Sequence, residues 1–316
     1  MSVSYFVKRQ LCPVCESEEY RRIYSCQFTK SPIKEYLESF YLPQGRIEFE
    51  YLGDSEFILN ECNYCGLIYQ EEIPNGFLME KIYEEWINPA KSYEAQQNTI
   101  TDDYLSYTQE VLTLITYFRT IPSQLKFLDF GMGWGIWCQI AKAMGCESYG
   151  TELSETRIEY VKSNVIKVIN WKELPNHVFH FINTEQVFGH IADPLDTLRY
   201  LKKTMVPGGL LKISVPNGTD IKRKLKILDW TAPKGSRNSL NPVAPLEHIN
   251  CFTHRSIITM ADIAGFEQVK IPLSIQYCYA IHGKTFKQVL KNVLKPIYRN
   301  ILNNGTYIFL RQKVNS

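Results

Sequence analysis

A chain of 316 residues, 45% hydrophobic and 22% charged, has room for one large domain with an appendage or for two mid-sized domains, and its composition is that of an ordinary globular protein. A net charge of +2 gives no global reason for nucleic-acid binding. No apolar run reaches a membrane span, and the opening MSVSYFVKRQLCPVC lacks the features of a secretory signal. Nine cysteines, four in two Cys-x-x-Cys pairs and five single, suit a reducing compartment better than a disulfide framework, so the expected location is cytoplasmic.

Residues 1–75, rich in Tyr, Phe and Glu with alternating runs such as Arg46-Ile47-Glu48-Phe49-Glu50-Tyr51, read as a small β-rich module that ends at the turn signal Asn75-Gly76. The module carries Cys12-Pro13-Val14-Cys15 and Cys62-Asn63-Tyr64-Cys65, the latter trailed by Gly66. Two such knuckles present four thiolates tetrahedrally to Zn²⁺, and four protein ligands leave no open position. Cys12, Cys15, Cys62 and Cys65 are therefore expected to hold a structural zinc. A redox Cys-x-x-Cys comes singly, and Cys26 reads as a small packed thiol. Residues 76–122 read as a helical lid or linker, with apolar residues at helical spacing over 77–93 and 102–119 and Pro122 as the stop. Its Tyr83, Trp86 and Tyr93, aromatics at helical spacing, read as packing.

Over 123–316 strand alternates with helix. Strands are expected at 126–130, 148–153, 165–169, 178–183 and 210–215. Helices are expected at 136–144, at 155–163 behind an N-cap Ser154, and at 194–203 with Pro in the first turn. Pro207-Gly208-Gly209 reads as a turn. This alternation predicts a parallel sheet covered by helices on both faces. Residues 219–246 read as a long excursion over the sheet edge, 256–263 as a helix stopped by Gly265, 266–281 mostly as strand, and 306–311 as a last strand. In 284–302, Lys287, Lys291, Lys295 and Arg299 stand opposite Phe286, Leu290, Leu294 and Ile297. The plain reading is a solvated helix face; the sharper one is peripheral contact with an anionic membrane or a lipid-linked substrate.

Asp129-Phe130-Gly131-Met132-Gly133-Trp134-Gly135 places glycines between a strand and a helix, where a cofactor must approach backbone. A dinucleotide fingerprint would need glycine at Ile136, and a Walker-type loop needs Lys-Ser/Thr after its glycines. Asp129 suits a positively charged ligand better than a pyrophosphate. Glu152, ending the next strand, can accept hydrogen bonds from vicinal ribose hydroxyls.

The segment 126–135 resembles the first motif of class I S-adenosylmethionine-dependent methyltransferases. Tyr149-Gly150-Thr151-Glu152-Leu153-Ser154 resembles their second, 185–194 a later segment, and Pro207-Gly208-Gly209-Leu210-Leu211 the turn before the fifth strand. The resemblance implies a Rossmann-like α/β fold with a seven-stranded sheet whose last strand is antiparallel. It also implies S-adenosylmethionine held by Asp129, Gly131, Gly133, Gly135, Glu152 and Glu185. His180 stands where the family often has Asp.

Joined to the zinc module, the core is similar to bacterial sugar methyltransferases, including C-methyltransferases of nucleotide-linked deoxysugars. Those enzymes carry a further carboxy-terminal domain, whereas this sequence stops at Ser316. Methyl transfer requires alignment of the nucleophile and removal of its proton, which suits a histidine. Glu247-His248 resembles the Glu-His pair that acts in that family, with Pro245 in place of its preceding Tyr, and His190 matches the family's other active-site histidine. The expected catalytic set is His248, His190 and Glu247. The expected function is methylation of a sugar, nucleotide-sugar or similar hydroxylated small molecule in surface-polysaccharide or nucleotide-sugar synthesis, with no nucleic-acid partner. The alternatives are a methyltransferase acting on RNA or protein, and a catalytically silent scaffold.

Overall fold

The computed structural model describes residues 4–53, 55–164, 166–277, 285–297 and 305–314. The chain divides into two compact units: residues 1–92, 188–197 and 215–263, and residues 93–187, 198–214 and 264–316.

The second unit is built on a seven-stranded sheet of β1 (Lys126–Phe130), β2 (Glu147–Thr151), β3 (Lys167–Val168), β4 (Phe179–Glu185), β5 (Met205–Ser214), β6 (Phe266–Val269) and β7 (Tyr307–Gln312). Their spatial order is β3-β2-β1-β4-β5-β7-β6. β1 to β5 pair in parallel, while β7 runs antiparallel to both β5 and β6. This is the expected α/β, Rossmann-like sheet with its reversed last strand. The central strands read as continuous apolar runs because both faces are covered. Phe127, Phe181 and Leu210 pack on Ile136, Trp137 and Ile140 of helix Ile136–Ala143 and on Val111 and Leu114 of helix Pro89–Phe118. Strand order reverses between β1 and β4, so the crevice beyond their carboxyl ends is where such sheets bind ligands.

The first unit holds a four-stranded antiparallel sheet of Tyr20–Gln27, Glu56–Cys62, Ile68–Gln70 and Asn250–Cys251, and a pair formed by Phe6–Lys8 and Glu72–Pro74. The amino-terminal β-rich module is thus present, with its last strand supplied by residues 250–251.

Four expectations need correction. Residues 219–246 are no excursion over the sheet edge: Ile221, Leu225, Trp230, Leu240 and Val243 join Phe28, Leu37, Tyr41 and Phe57 in the first unit's core. Pro207-Gly208-Gly209 is not a turn but an irregularity within β5, where the pairing with β4 shifts register between Met205 and Leu210. The strand from 266 stops at Val269, and helix Leu273–Tyr277 follows Pro272; residues 278–281 lie outside the described residues. The third strand keeps only Lys167–Val168, Val165 being outside the described residues. Among the described residues no helix is long and apolar enough to cross a membrane.

Candidate active site

In the second unit the three loop glycines all take left-handed backbone, with φ of 75° at Gly131, 56° at Gly133 and 74° at Gly135, a conformation that disfavours any Cβ. A Cβ at Gly131 would lie 2.6 Å from Val187 Cγ2, whereas none of the described heavy atoms lies within 4 Å of one at Gly133. The loop therefore packs at Gly131 and opens at Gly133. Glu152 closes it from β2. Its Oε2 accepts the Gly133 N–H at 2.9 Å, and its Oε1 accepts those of Leu153 and Ser154 at 2.7 and 3.2 Å. A carboxylate has about four acceptor positions, so one remains for a ligand hydroxyl. Asp129 lies beneath the loop, 3% exposed, accepting from Asn183 Nδ2 at 2.7 Å; burial raises its carboxyl to about 7. Trp134 packs edge-on to Tyr93 and Tyr160, and its buried Nε1 has no partner among the described residues. An open glycine, a carboxylate with spare capacity and an orphaned donor are together compatible with S-adenosylmethionine.

Glu185, expected at the cofactor, belongs to a buried ion cluster. Lys212, fully buried at the centre of the sheet, donates to both oxygens of Glu110 at 2.8 and 2.9 Å and to Glu185 Oε2 at 2.7 Å. Trp137 Nε1 and the Tyr307 hydroxyl also donate to Glu110, and Ser214 Oγ donates to Glu185. Burial works against charge on Lys212, but Glu110 and Glu185 outweigh it and raise its affinity for the proton. Burial likewise works against ionised Glu185, and Lys212 with the hydrogen bonds reverses that, leaving its carboxyl lowered. The cluster borders a cavity of about 410 Å³ that Asp103, Gln109, Glu185, Ser214, Gln276 and Tyr307 help to line. Sequence reasoning missed Lys212 and Glu110, although a lysine inside an apolar strand is itself a signal, because lysine is almost never fully buried unless paired.

The two expected catalytic histidines lie in the first unit. His190 and His248 have ring centroids 4.7 Å apart. His248 Nδ1 bonds the Asn241 carbonyl; a carbonyl only accepts, so Nδ1 carries the proton and Nε2 keeps its lone pair. His190 Nδ1 bonds the Tyr83 hydroxyl at 2.9 Å. Burial, then the neighbouring His248, lowers His190 to about 3, and burial lowers His248. Both rings are neutral at pH 7. Burial raises the Glu247 carboxyl to about 7 beside Tyr41; the orienting partner of His248 Nδ1 is Asn241.

The amino-terminal β-rich module supports this histidine loop. Gln70 Nε2 donates to the carbonyls of Ala244 and His248. Asn250, 2% exposed, donates to the carbonyls of Phe188 and Ile191 and accepts from Arg9. Arg9 and Asn250 are positioning residues that the sequence did not reveal. Tyr83 emerges as a polar partner of His190, Trp86 is core and bonds Glu48, and Tyr93 belongs to the loop aromatics of the second unit.

The four expected metal ligands converge. Cys12, Cys15, Cys62 and Cys65 present Sγ atoms all within 4.8 Å of one another, with Cys12–Cys65 at 3.6 Å and Cys15–Cys62 at 3.5 Å. Tetrahedral Zn–S bonds of about 2.3 Å give S–S edges of about 3.8 Å, so the set fits zinc. Each knuckle turns through a left-handed residue, Gly66 (φ 74°) in one and Glu16 (φ 59°) in the other.

A family model described as a methyltransferase domain matches residues 104–271. Among curated proteins the chain is similar to the ubiquinone biosynthesis O-methyltransferase of Bartonella tribocorum, 25% identical over 207 residues that cover 58% of this chain and 82% of that protein. It is also similar to the ubiquinone biosynthesis O-methyltransferase of Cereibacter sphaeroides, 24% identical over 188 residues, 53% of this chain and 75% of that one. Among solved structures it is similar to the plantazolicin methyltransferase BpumL in complex with SAH, at a TM-score of 0.49 and 14% identity over 75% of this chain and 94% of that chain.

Proposed function

The chain belongs to the methyltransferase domain family and is an S-adenosylmethionine-dependent methyltransferase; we propose that its acceptor is a sugar or related small polyhydroxylated molecule. The observation that carries this reading is the chemistry of the second unit's cavity. Its volume falls in the range of small-ligand pockets. Carboxylates of Asp103 and Glu185, amides of Gln109 and Gln276 and the hydroxyls of Ser214 and Tyr307 match the alternating donors and acceptors of vicinal hydroxyls. The relatives named O-methyltransferases favour oxygen as the methylated atom.

S-adenosylmethionine supplies an electrophilic methyl carbon. Gly133 would leave the backbone open to it, Gly131 and Gly135 would shape the loop around it, and Glu152 would accept from one of its ribose hydroxyls. Asp129 supports the loop from beneath, and Glu185 orients the acceptor or the donor. Proton removal is assigned to Nε2 of His248, with His190 and Glu247 as companions. A positioned base of this kind contributes about 10²–10⁴-fold. Cys12, Cys15, Cys62 and Cys65 hold Zn²⁺ in a closed site that keeps the histidine loop in place.

Calorimetry with S-adenosylhomocysteine tests the donor site: affinity in the micromolar range is expected, and Glu152→Ala should weaken it about tenfold or more, as loss of a charged hydrogen-bond acceptor does. Unchanged binding removes Glu152 from the site. Mass spectrometry across a panel of sugars and nucleotide sugars tests the acceptor; a methyl gain on phenols or peptides alone rejects the sugar reading while leaving the donor site intact.

A further inference from the structure

Helix Phe286–Ile297 has two faces with different commitments. Asn292, Lys295 and Pro296 line the cavity, and the Val293 carbonyl accepts from the Tyr277 hydroxyl. On the other side Phe286, Leu290, Leu294 and Ile297 follow one another by four, four and three residues, the spacing of a single helical stripe. All four are exposed, at 84, 47, 49 and 39%. A run of large apolar side chains in water on one helix marks an interaction surface.

The charge pattern selects the partner. The helix FKQVLKNVLKPI contains three lysines and no acid, against a net charge of +2 for the whole chain, so positive charge is concentrated here. Lys287 and Lys291 are exposed at the border of the stripe. A second copy of this chain, docked on this helix by two-fold symmetry, would bring two lysine-bordered stripes together with no acid in either helix to pair them. An anionic bilayer satisfies both features: the stripe enters the acyl boundary while the lysine stems lie along it and their ammonium groups reach the headgroups. At about 1.5 Å per residue the helix is too short to span the hydrocarbon core, so it lies in the plane of the interface.

We propose that helix Phe286–Ile297 docks the protein on an anionic membrane surface. Docking brings a wall of the cavity to the lipid boundary, the place where a lipid-linked acceptor would be presented, but it holds whichever acceptor is methylated.

Co-sedimentation of the full chain with phosphatidylcholine vesicles, with and without phosphatidylglycerol, tests the proposal. Binding to the anionic vesicles, declining with salt, is expected. Leu290→Glu with Leu294→Glu, and separately Lys287→Glu with Lys291→Glu, should each reduce the bound fraction about tenfold. Unaltered S-adenosylhomocysteine affinity and circular dichroism would show that both variants are folded. The proposal is overturned if the native chain stays in solution, if neutral and anionic vesicles bind equally, or if the leucine substitutions dissociate a dimer at sedimentation equilibrium and leave vesicle binding unchanged.

Discussion

Lys212 of the second unit is fully buried and His248 of the first is 9% exposed, yet one is charged and the other neutral. Burial disfavours the proton on both. Lys212 keeps it because Glu110 and Glu185 reach its ammonium from two sides. His248 loses it because burial outweighs the Asn241 carbonyl, the one neighbour at its ring that favours the proton. Neighbours, not depth, decide which buried group is charged. The second unit thereby gains a fixed ion cluster suited to orienting a ligand, and the first gains a neutral base suited to taking a proton.

Metal removal separates the two regions most completely. A closed four-thiolate zinc site contributes on the order of 10 kcal/mol to a small module, and the strand Ile68–Gln70 that carries the His248 loop follows directly on Cys62 and Cys65. Cys62→Ser should therefore eliminate zinc measured by elemental analysis, and amide exchange should accelerate across 56–70 and 250–251 while β1 to β5 keep their protection. Full protection of both regions in a metal-free protein would contradict a structural zinc.

Substituting His248 by Gln tests the proton-accepting side. A loss of about 10²–10⁴-fold in kcat/KM is expected, with binding of S-adenosylhomocysteine retained. The base must be neutral, and burial lowers its pKa from 6.5, so native activity should persist as pH falls through 6.5 and decline only below it. An acid limb above 6.5 points to another group. Lys212→Met tests the charged side: it strands two carboxylates and should cost about 3–5 kcal/mol in denaturant unfolding. That penalty should shrink toward pH 5, because a carboxyl no longer held down by Lys212 takes up a proton more readily in the folded state than in the unfolded one. A pH-independent loss would indicate packing alone.

Legibility follows locality. The glycine loop could be read because its demands fall on consecutive residues, and Glu152 could be read because it closes the adjacent strand. The cysteine knuckles are likewise local pairs. The Lys212 cluster was hidden because Glu110 lies 102 positions away and nothing in its own helix marks it. Arg9 reaches Asn250 across 241 positions. The 219–246 segment misled for a related reason: apart from the i, i+4 pair Ile221 and Leu225 on one short helix, its core residues Trp230, Leu240 and Val243 lie in turns and loops with no strand period, so only the assembled unit shows them inside. Pro207-Gly208-Gly209 has turn composition, but strand pairing on either side carries it through as an irregularity.

The smallest expected effect falls on Tyr83. Its hydroxyl bonds His190 Nδ1 at 2.9 Å, while His248 Nδ1 remains tied to Asn241, so Tyr83→Phe removes one hydrogen bond and leaves the assigned base in its tautomer. A single such bond is worth about 0.5–1.5 kcal/mol, which corresponds to roughly a two- to tenfold decrease in kcat/KM. Because the lowered pKa of His248 comes first from burial and not from Tyr83, the acid limb should stay where it is in the native enzyme. A loss as deep as that of His248→Gln, or an acid limb that moves with the substitution, would transfer the proton-accepting role to the Tyr83–His190 pair and make His248 the positioning residue.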